Sequence, residues 1–376
     1  MVDVQVFVKK LKEHGLSFFT GVPDSLLKSF CSYLLDHPED VENVICANEG
    51  GAIGLAAGYY LGAGNPACVY MQNSGIGNAV NPLLSLADPN IYSIPMLMVI
   101  GWRGEPGKKD EPQHLKQGKT TLELLQIMGI EYKILDDNTQ KACMQLDDLI
   151  TVMNSDSKPV ALVIRKDIFK QYNHNQLDGE KELLSREKAL ETILELLPED
   201  CVLVSTTGMA SRELFELREK RHEGHEKDFL TVGSMGHASQ IALGIALTHP
   251  EKKVVCLDGD GALLMHLGSL AIIGKQSPEN YIHIVLNNQA HDSVGGQPTA
   301  ADILDIKNLA VTLGYGHSES VADINGIKMG LRKMIEQKGP SFLEIKIRKG
   351  ARKDLGRPTL SPIENKQLFM NFINQK

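Results

Sequence analysis

The chain is poor in the features that mark zinc-binding, membrane and nucleic-acid proteins. Its six cysteines (Cys31, Cys46, Cys68, Cys143, Cys201, Cys256) are scattered, with no Cys-x-x-Cys pair and no Cys/His cluster at zinc spacing. Most sit inside apolar runs and are expected to be buried small hydrophobes in a reducing compartment. Basic residues are in deficit: 39 Lys+Arg against 47 Asp+Glu leave a formal charge of −8. A nucleic-acid binder would need a basic face, whereas a small anion needs only a local basic pocket. The most apolar stretch, Gly50–Gly64, falls short of the roughly 20 residues that span a bilayer. The N-terminal MVDVQVFVKKLKEHG reads as an amphipathic helix, without the apolar core and cleavage site of a signal peptide. A cytoplasmic protein with neither nucleic acid nor membrane as partner is expected.

What is present is an ordinary globular composition, 42% hydrophobic and 23% charged over 376 residues. At roughly 150 residues per domain this suggests two domains, each with its own core. Short β-branched runs alternate with helical patterns along nearly the whole length. Strands are expected at Ser17–Thr20, Asn43–Asn48, Ala67–Gln72, Ile94–Trp102, Glu131–Leu135 and Val160–Arg165. A second set follows at Val202–Thr206, Asp228–Val232, Lys253–Leu257, Ile282–Asn287 and Ser341–Ile347. Strands spaced by helices imply βαβ units, hence α/β domains with doubly wound parallel sheets. The alternation weakens in the polar stretch Lys166–Ser185, so domains are expected at 1–170 and 185–376 with a linker at 171–184. A linker that short leaves no room for a middle domain.

Ligands of parallel sheets sit outside the carboxyl ends of the strands. The strongest such place is KVVCLDGDGALL, where a buried strand runs into Asp258-Gly259-Asp260-Gly261 and a helix opens at Ala262. The stretch Ala262–Leu286 is long enough for one crossover helix and one strand, which ends at Asn287-Asn288. A carboxylate and an amide oxygen suit Mg²⁺ completed by phosphate oxygens, and Gly259 and Gly261 let backbone approach a phosphate. An incidental turn Asp would explain Gly-Asp-Gly alone, but not the Asn pair at this spacing.

Three further places carry candidates. Glu49 ends a strand and opens the Gly/Ala-rich helix VICANEGGAIGLAAGYYLGAG, in which Gly54, Gly58 and Gly62 form a bare stripe for close packing. A first-turn acid can also merely complement the helix dipole. In TVGSMGHASQIALGIAL a strand ends at Gly233-Ser234-Met235-Gly236, and Met235 alone would read as a gap-filling core residue. His114 and His291 lie in loops after strands and are the acid–base candidates near neutral pH, with Asp24, Asp110, Asp292 and Ser293 placed to orient or assist them. Lys346, Arg348, Lys349, Arg352, Lys353 and Arg357 form a basic run with one acid, Asp354. Such a run is often a solvated tail, but its Arg side chains could hold an anion in two-point fashion. Arg103, Lys108 and Lys109 compete for that role.

Gly259-Asp260-Gly261 followed by Asn287-Asn288 resembles the metal–diphosphate signature of thiamine diphosphate enzymes. The resemblance implies Asp260, Asn288 and the carbonyl of Ala290 as ligands of Mg²⁺, with Asn287 an open alternative because the pair lies one residue further along than in many members. It implies Glu49 as the carboxyl that hydrogen-bonds the aminopyrimidine ring, the Gly233 carbonyl as partner of the cofactor's amino group, and Met235 as the prop for its bent conformer. It makes 1–170 the pyrimidine-binding and 185–376 the diphosphate-binding domain. It also implies a homodimer at least, with the active site between chains. The segments GVPDSLLKSF, MQNSGIGNAVNPLLSL, IGWRGEPGKKDEPQHLKQG and NNQAHDSVGGQPT are similar to the phosphonopyruvate and sulfopyruvate decarboxylases. With both halves on one chain, the phosphonopyruvate branch is the better match. That branch implies decarboxylation of the anionic 2-oxo acid 3-phosphonopyruvate to phosphonoacetaldehyde in phosphonate biosynthesis, with Arg103, Ser293, Arg352, Lys353 and Arg357 as substrate-binding candidates. Sulfopyruvate decarboxylation is the first alternative, and a non-enzymatic α/β nucleotide-binding module, for which no Gly-x-Gly-x-x-Gly opens the chain, is the second.

Overall fold

A computed structural model describes residues 1–172 and 182–374. The chain divides into two compact units, Met1–Leu177 and Asp178–Lys376. Most of the stretch expected as a linker, residues 173–181, lies outside the described residues.

Unit 1 holds β1 (Phe18–Gly21), β2 (Glu42–Ile45), β3 (Ala67–Gln72), β4 (Met96–Gly101), β5 (Glu131–Ile134) and β6 (Pro159–Ile164). They form one parallel sheet in the order β2-β1-β3-β4-β6-β5. β4 and β6 are buried at every position and β3 at all but its last, Gln72, which is why the MLMVIG and PVALVI runs and most of ACVYMQ are continuously apolar rather than alternating. One sheet face is covered by helices Val4–Glu13, Lys28–Asp36 and Thr139–Asp156, the other by Glu49–Ala63, Ile76–Pro82 and Pro112–Ile127.

Unit 2 holds β7 (Val202–Ser205), β8 (Asp228–Leu230), β9 (Val254–Gly259) and β10 (Tyr281–Asn287). A two-residue hairpin, β11 (Ala290–His291) with β12 (Gln297–Pro298), is followed by β13 (His317–Val321) and β14 (Ser341–Lys346). The parallel sheet runs β13-β14-β10-β9-β7-β8. Read from its other edge this is the strand order of unit 1, so the two units repeat one topology without a detectable sequence repeat. Both are doubly wound, and no middle domain separates them.

Two expectations are corrected. The return from β9 to β10 is not one helix: Asp260–Met265 stops at His266, and a second helix, Ser269–Gln276, starts after Gly268. Glycine costs about 1 kcal/mol in a helix interior and favours the break. The Gly54/Gly58/Gly62 stripe does not pack closely either, since a Cβ added at any of the three would meet nothing within 4 Å. Among the described residues no helix is long and apolar enough to cross a membrane.

In each sheet the first strand (β1, β7) has the second on one side and the third on the other. This is the switch point at which α/β sheets open a crevice.

Candidate active site

In unit 2, β9 and β10 lie side by side with Leu286 opposite Gly259. Their carboxyl ends therefore deliver Gly259-Asp260-Gly261 and Asn288 to one open cleft. Asp260 is 2% exposed, and its Oδ2 accepts from Thr299 Oγ1 at 2.5 Å. Burial pushes its carboxyl up to about 6, although Thr299 and the Asn288 N–H pull the other way.

The two asparagines separate cleanly. Asn287 does not line the cleft and donates instead to Glu344 Oε1 on β14 at 2.7 Å. Asn288 faces the cleft, donates to Asp292 Oδ2 at 2.6 Å and accepts from the Ala290 N–H at 3.1 Å. Pro298, opposite Ala290 in the hairpin, has no N–H to give to the Ala290 carbonyl. Carboxylate, amide oxygen and carbonyl are hard donors that fit Mg²⁺. The cleft also fits a phosphate group: a Cβ on Gly261 would come within 2.9 Å of the His291 ring and 3.4 Å of the Met235 methyl, so glycine keeps that floor open. Asp258 Oδ2, buried at the same edge, makes no hydrogen bond and lies 3.5 Å from His283 Nε2.

The other unit 2 candidates fall in two groups. Ala262, Met235, His291 and Ser293 line the cleft, and Gly233 lies two residues before Met235 in the turn after β8. Met235 is half-buried at the cleft rather than packed in the core. The basic tail is not there. Arg352 is held by Glu187 at 3.2 Å, by Glu216 and by Asp354, while Lys353 and Arg357 are exposed and do not line the cleft. The acids on helices Arg186–Leu194 and Met209–Lys220 draw the tail onto themselves. The cation at the cleft is Arg186, buried and paired with Glu213 at 3.0 Å and Asp292 at 3.2 Å. Sequence reasoning missed Arg186 and Thr299; the quoted segment NNQAHDSVGGQPT contains Thr299, but nothing local ties it to Asp260.

In unit 1, Glu49 opens helix Glu49–Ala63 behind the N-cap Asn48, whose side chain accepts from Gly51 N–H at 2.8 Å. Its carboxylate is buried, 5% exposed, and accepts from Asn78 Nδ2 at 2.7 Å. Gly75, in the turn after β3, leaves it room: a Cβ there would lie 2.3 Å from Glu49 Oε1. Beside it at the carboxyl edge of the sheet is a polar cluster. Arg103, after β4, makes a two-point pair with Asp110 at 2.9 and 2.5 Å and donates to Ser25 Oγ at 2.9 Å. Lys108 and Lys109 are exposed. Asp24 is fully buried, and burial pushes its carboxyl up to about 6 against the pull of Leu26 N–H and Arg103.

The histidines depart from the sequence expectation. Burial lowers His291 to about 4, and burial plus the Arg103 charge lowers His114 to about 4. Both imidazoles are neutral at pH 7, and of Asp24 and His114 it is Asp24 that titrates nearer to it.

Residues 2–124 match the thiamine pyrophosphate enzyme N-terminal TPP binding domain, and residues 205–345 match the C-terminal TPP binding domain. A phosphonopyruvate decarboxylase of Streptomyces viridochromogenes is 33% identical over 99% of this chain and 95% of its own length. The chain belongs to the thiamine pyrophosphate enzyme family. Within it, a phosphonopyruvate decarboxylase of Streptomyces hygroscopicus is 32% identical over 100% of the chain and 95% of its own length. A sulfopyruvate decarboxylase of Methanosarcina acetivorans is 28% identical over 98% and 97%. As a thiamine pyrophosphate enzyme, the chain carries its pyrimidine and diphosphate candidates in the two matched domains.

Proposed function

We propose that this enzyme decarboxylates 3-phosphonopyruvate to phosphonoacetaldehyde and CO₂, with thiamine diphosphate and Mg²⁺. The observation that carries the cofactor reading is that Asp260, Asn288 and Ala290 line one cleft together with the Gly259–Gly261 turn. When bound, thiamine diphosphate supplies the electron sink for loss of CO₂ from a 2-oxo acid. The residues of the chain bind and orient it. Asp260, Asn288 and the Ala290 carbonyl hold the metal against the diphosphate. Glu49 hydrogen-bonds the pyrimidine ring, with Asn78 fixing its other oxygen. Met235 would prop the cofactor in its bent form, and the Gly233 carbonyl would accept from its amino group. Asp24, whose proton is held up to about pH 6, is the proposed source of the returned proton, with His114 and His291 proposed to orient substrate as neutral hydrogen-bonding groups.

The substrate class rests on the full-length relatives, two of them named for phosphonopyruvate at 33% and 32% identity. Arg103 is kept as the proposed anion-recognising residue of unit 1, with Asp110 already paired to two of its nitrogens, while Arg352 is held by Glu187 and Asp354 away from the cleft. A homodimer is the proposed assembly. Its support is helix Glu49–Ala63, which is apolar all round yet exposes Leu55 and Leu61 beside the bare glycine stripe; an all-apolar helix calls for cover. Comparing kcat/KM for 3-phosphonopyruvate and sulfopyruvate tests the substrate. Preference for the phosphono acid by more than about tenfold, or 1.4 kcal/mol, is expected. A preference for the sulfo acid overturns the assignment in favour of sulfopyruvate decarboxylation.

A further inference from the structure

We propose that Asp292, clamped by Arg186 and the Gly350 N–H, is a positioning residue that holds the Asn288 amide with its oxygen available to a divalent cation. The proposal rests on the thiamine diphosphate and Mg²⁺ reading of the cleft. A primary amide can be turned over with almost no change of shape, yet only its oxygen ligates Mg²⁺. Two neighbours of opposite character decide the matter here. Asp292 Oδ2 lies 2.6 Å from Asn288 Nδ2, and a carboxylate paired with an arginine accepts. The Ala290 N–H lies 3.1 Å from Asn288 Oδ1, and it can only donate. Turning the amide over would set NH₂ against N–H and oxygen against carboxylate, losing both bonds at once.

Asp292 is itself immobilised. Its Oδ2 accepts from Arg186 Nη1 at 3.2 Å and from Gly350 N at 3.0 Å. Arg186 in turn donates from Nε to Glu213 Oε2 at 3.0 Å, with both side chains buried. With its fork spent on two carboxylates, Arg186 serves as a brace for Asp292 rather than an anchor for substrate. Hydrogen-bonded partners of metal ligands are typically worth 10- to 100-fold in metal affinity.

The test titrates the purified full-length protein with Mn²⁺ at saturating thiamine diphosphate and counts free Mn²⁺ by electron paramagnetic resonance. Asp292→Ala is expected to weaken Mn²⁺ binding by about 10- to 100-fold. Adding Asn288→Asp to that variant offers an oxygen whichever way the group turns, so affinity is expected back within about threefold of wild type. Asp292→Asn fills the same space and keeps one acceptor. It is expected to show a smaller loss in the same direction and carries the test if the alanine variant does not fold. Wild-type affinity in Asp292→Ala (or in Asp292→Asn, if that variant carries the test), or a double variant no tighter than Asp292→Ala, overturns the positioning role. A wild-type protein that takes up no Mn²⁺ with thiamine diphosphate sinks the cofactor reading itself.

Discussion

Glu49 is a buried acid with one oxygen tied to Asn78 and the other facing Gly75. Glu49→Gln keeps the size and leaves the diphosphate cleft of unit 2 untouched. Thiamine diphosphate and metal should still bind, while kcat falls by roughly 10² to 10⁴-fold, the range of a proton-transfer group. Steady-state kinetics with a cofactor-binding titration checks this, and kcat above about a tenth of wild type removes Glu49 from the role. Asp24 gives a prediction about stability. Its carboxyl sits at about 6 instead of 3.8 because it is buried, so the folded state holds this proton more tightly than the unfolded state. Its contribution is fully present below about pH 4 and is lost as pH rises through about 6, a difference of roughly 3 kcal/mol. Asp24→Asn, uncharged and nearly isosteric, should therefore melt higher than wild type at pH 8 and gain only about half as much free energy at pH 5. A gain that does not shrink toward low pH contradicts the burial argument.

Elements place these residues through a few close approaches. Helix Pro112–Ile127 carries His114 and meets the loop after β4 at Gly118, where a Cβ would sit 1.7 Å from the Gly104 carbonyl oxygen. Gly118→Ala must push the Arg103–Asp110 loop aside. It is expected to cost about 1–3 kcal/mol of stability, as overpacking does, and to raise KM more than it lowers kcat; unchanged melting and KM would show that the contact yields freely. Legibility followed the range of each interaction. β3 matched its expected span, and β9 and β10 were visible because fully buried strands are continuous apolar runs that end on polar residues. β13 was missed because HSESV, at a half-exposed sheet edge, carries no apolar signal. Asp260 and Asn288 were legible as strand ends. Thr299 and Arg186 were not, because their partners lie 39 and 106 residues away. The tail misled for the same reason: nothing near Arg352 announces Glu187 and Glu216. Burial, equally invisible in one dimension, is what took His114 and His291 below neutral pH.

The whole molecule repeats one strand order twice, with a carboxylate at the switch-point edge of each copy: Glu49 in unit 1 and Asp260 in unit 2. If the cofactor of the proposed homodimer bridges unit 1 of one protomer and unit 2 of its partner, two inactive variants should complement. Co-expressed Glu49→Gln and Asp260→Ala would give mixed dimers in which one site carries both lesions and the other none. With about half the dimers mixed, about a quarter of wild-type activity is expected. No recovery in verified mixed dimers means that each chain builds its site alone. The central claim, that this chain uses thiamine diphosphate and Mg²⁺ to decarboxylate 3-phosphonopyruvate, is tested most directly by following CO₂ release from that substrate. The protein is first stripped of metal and cofactor, and each is then restored separately and together. The account predicts no release from the stripped protein and full release only with both restored. Release that survives stripping, or none with both present, would contradict it.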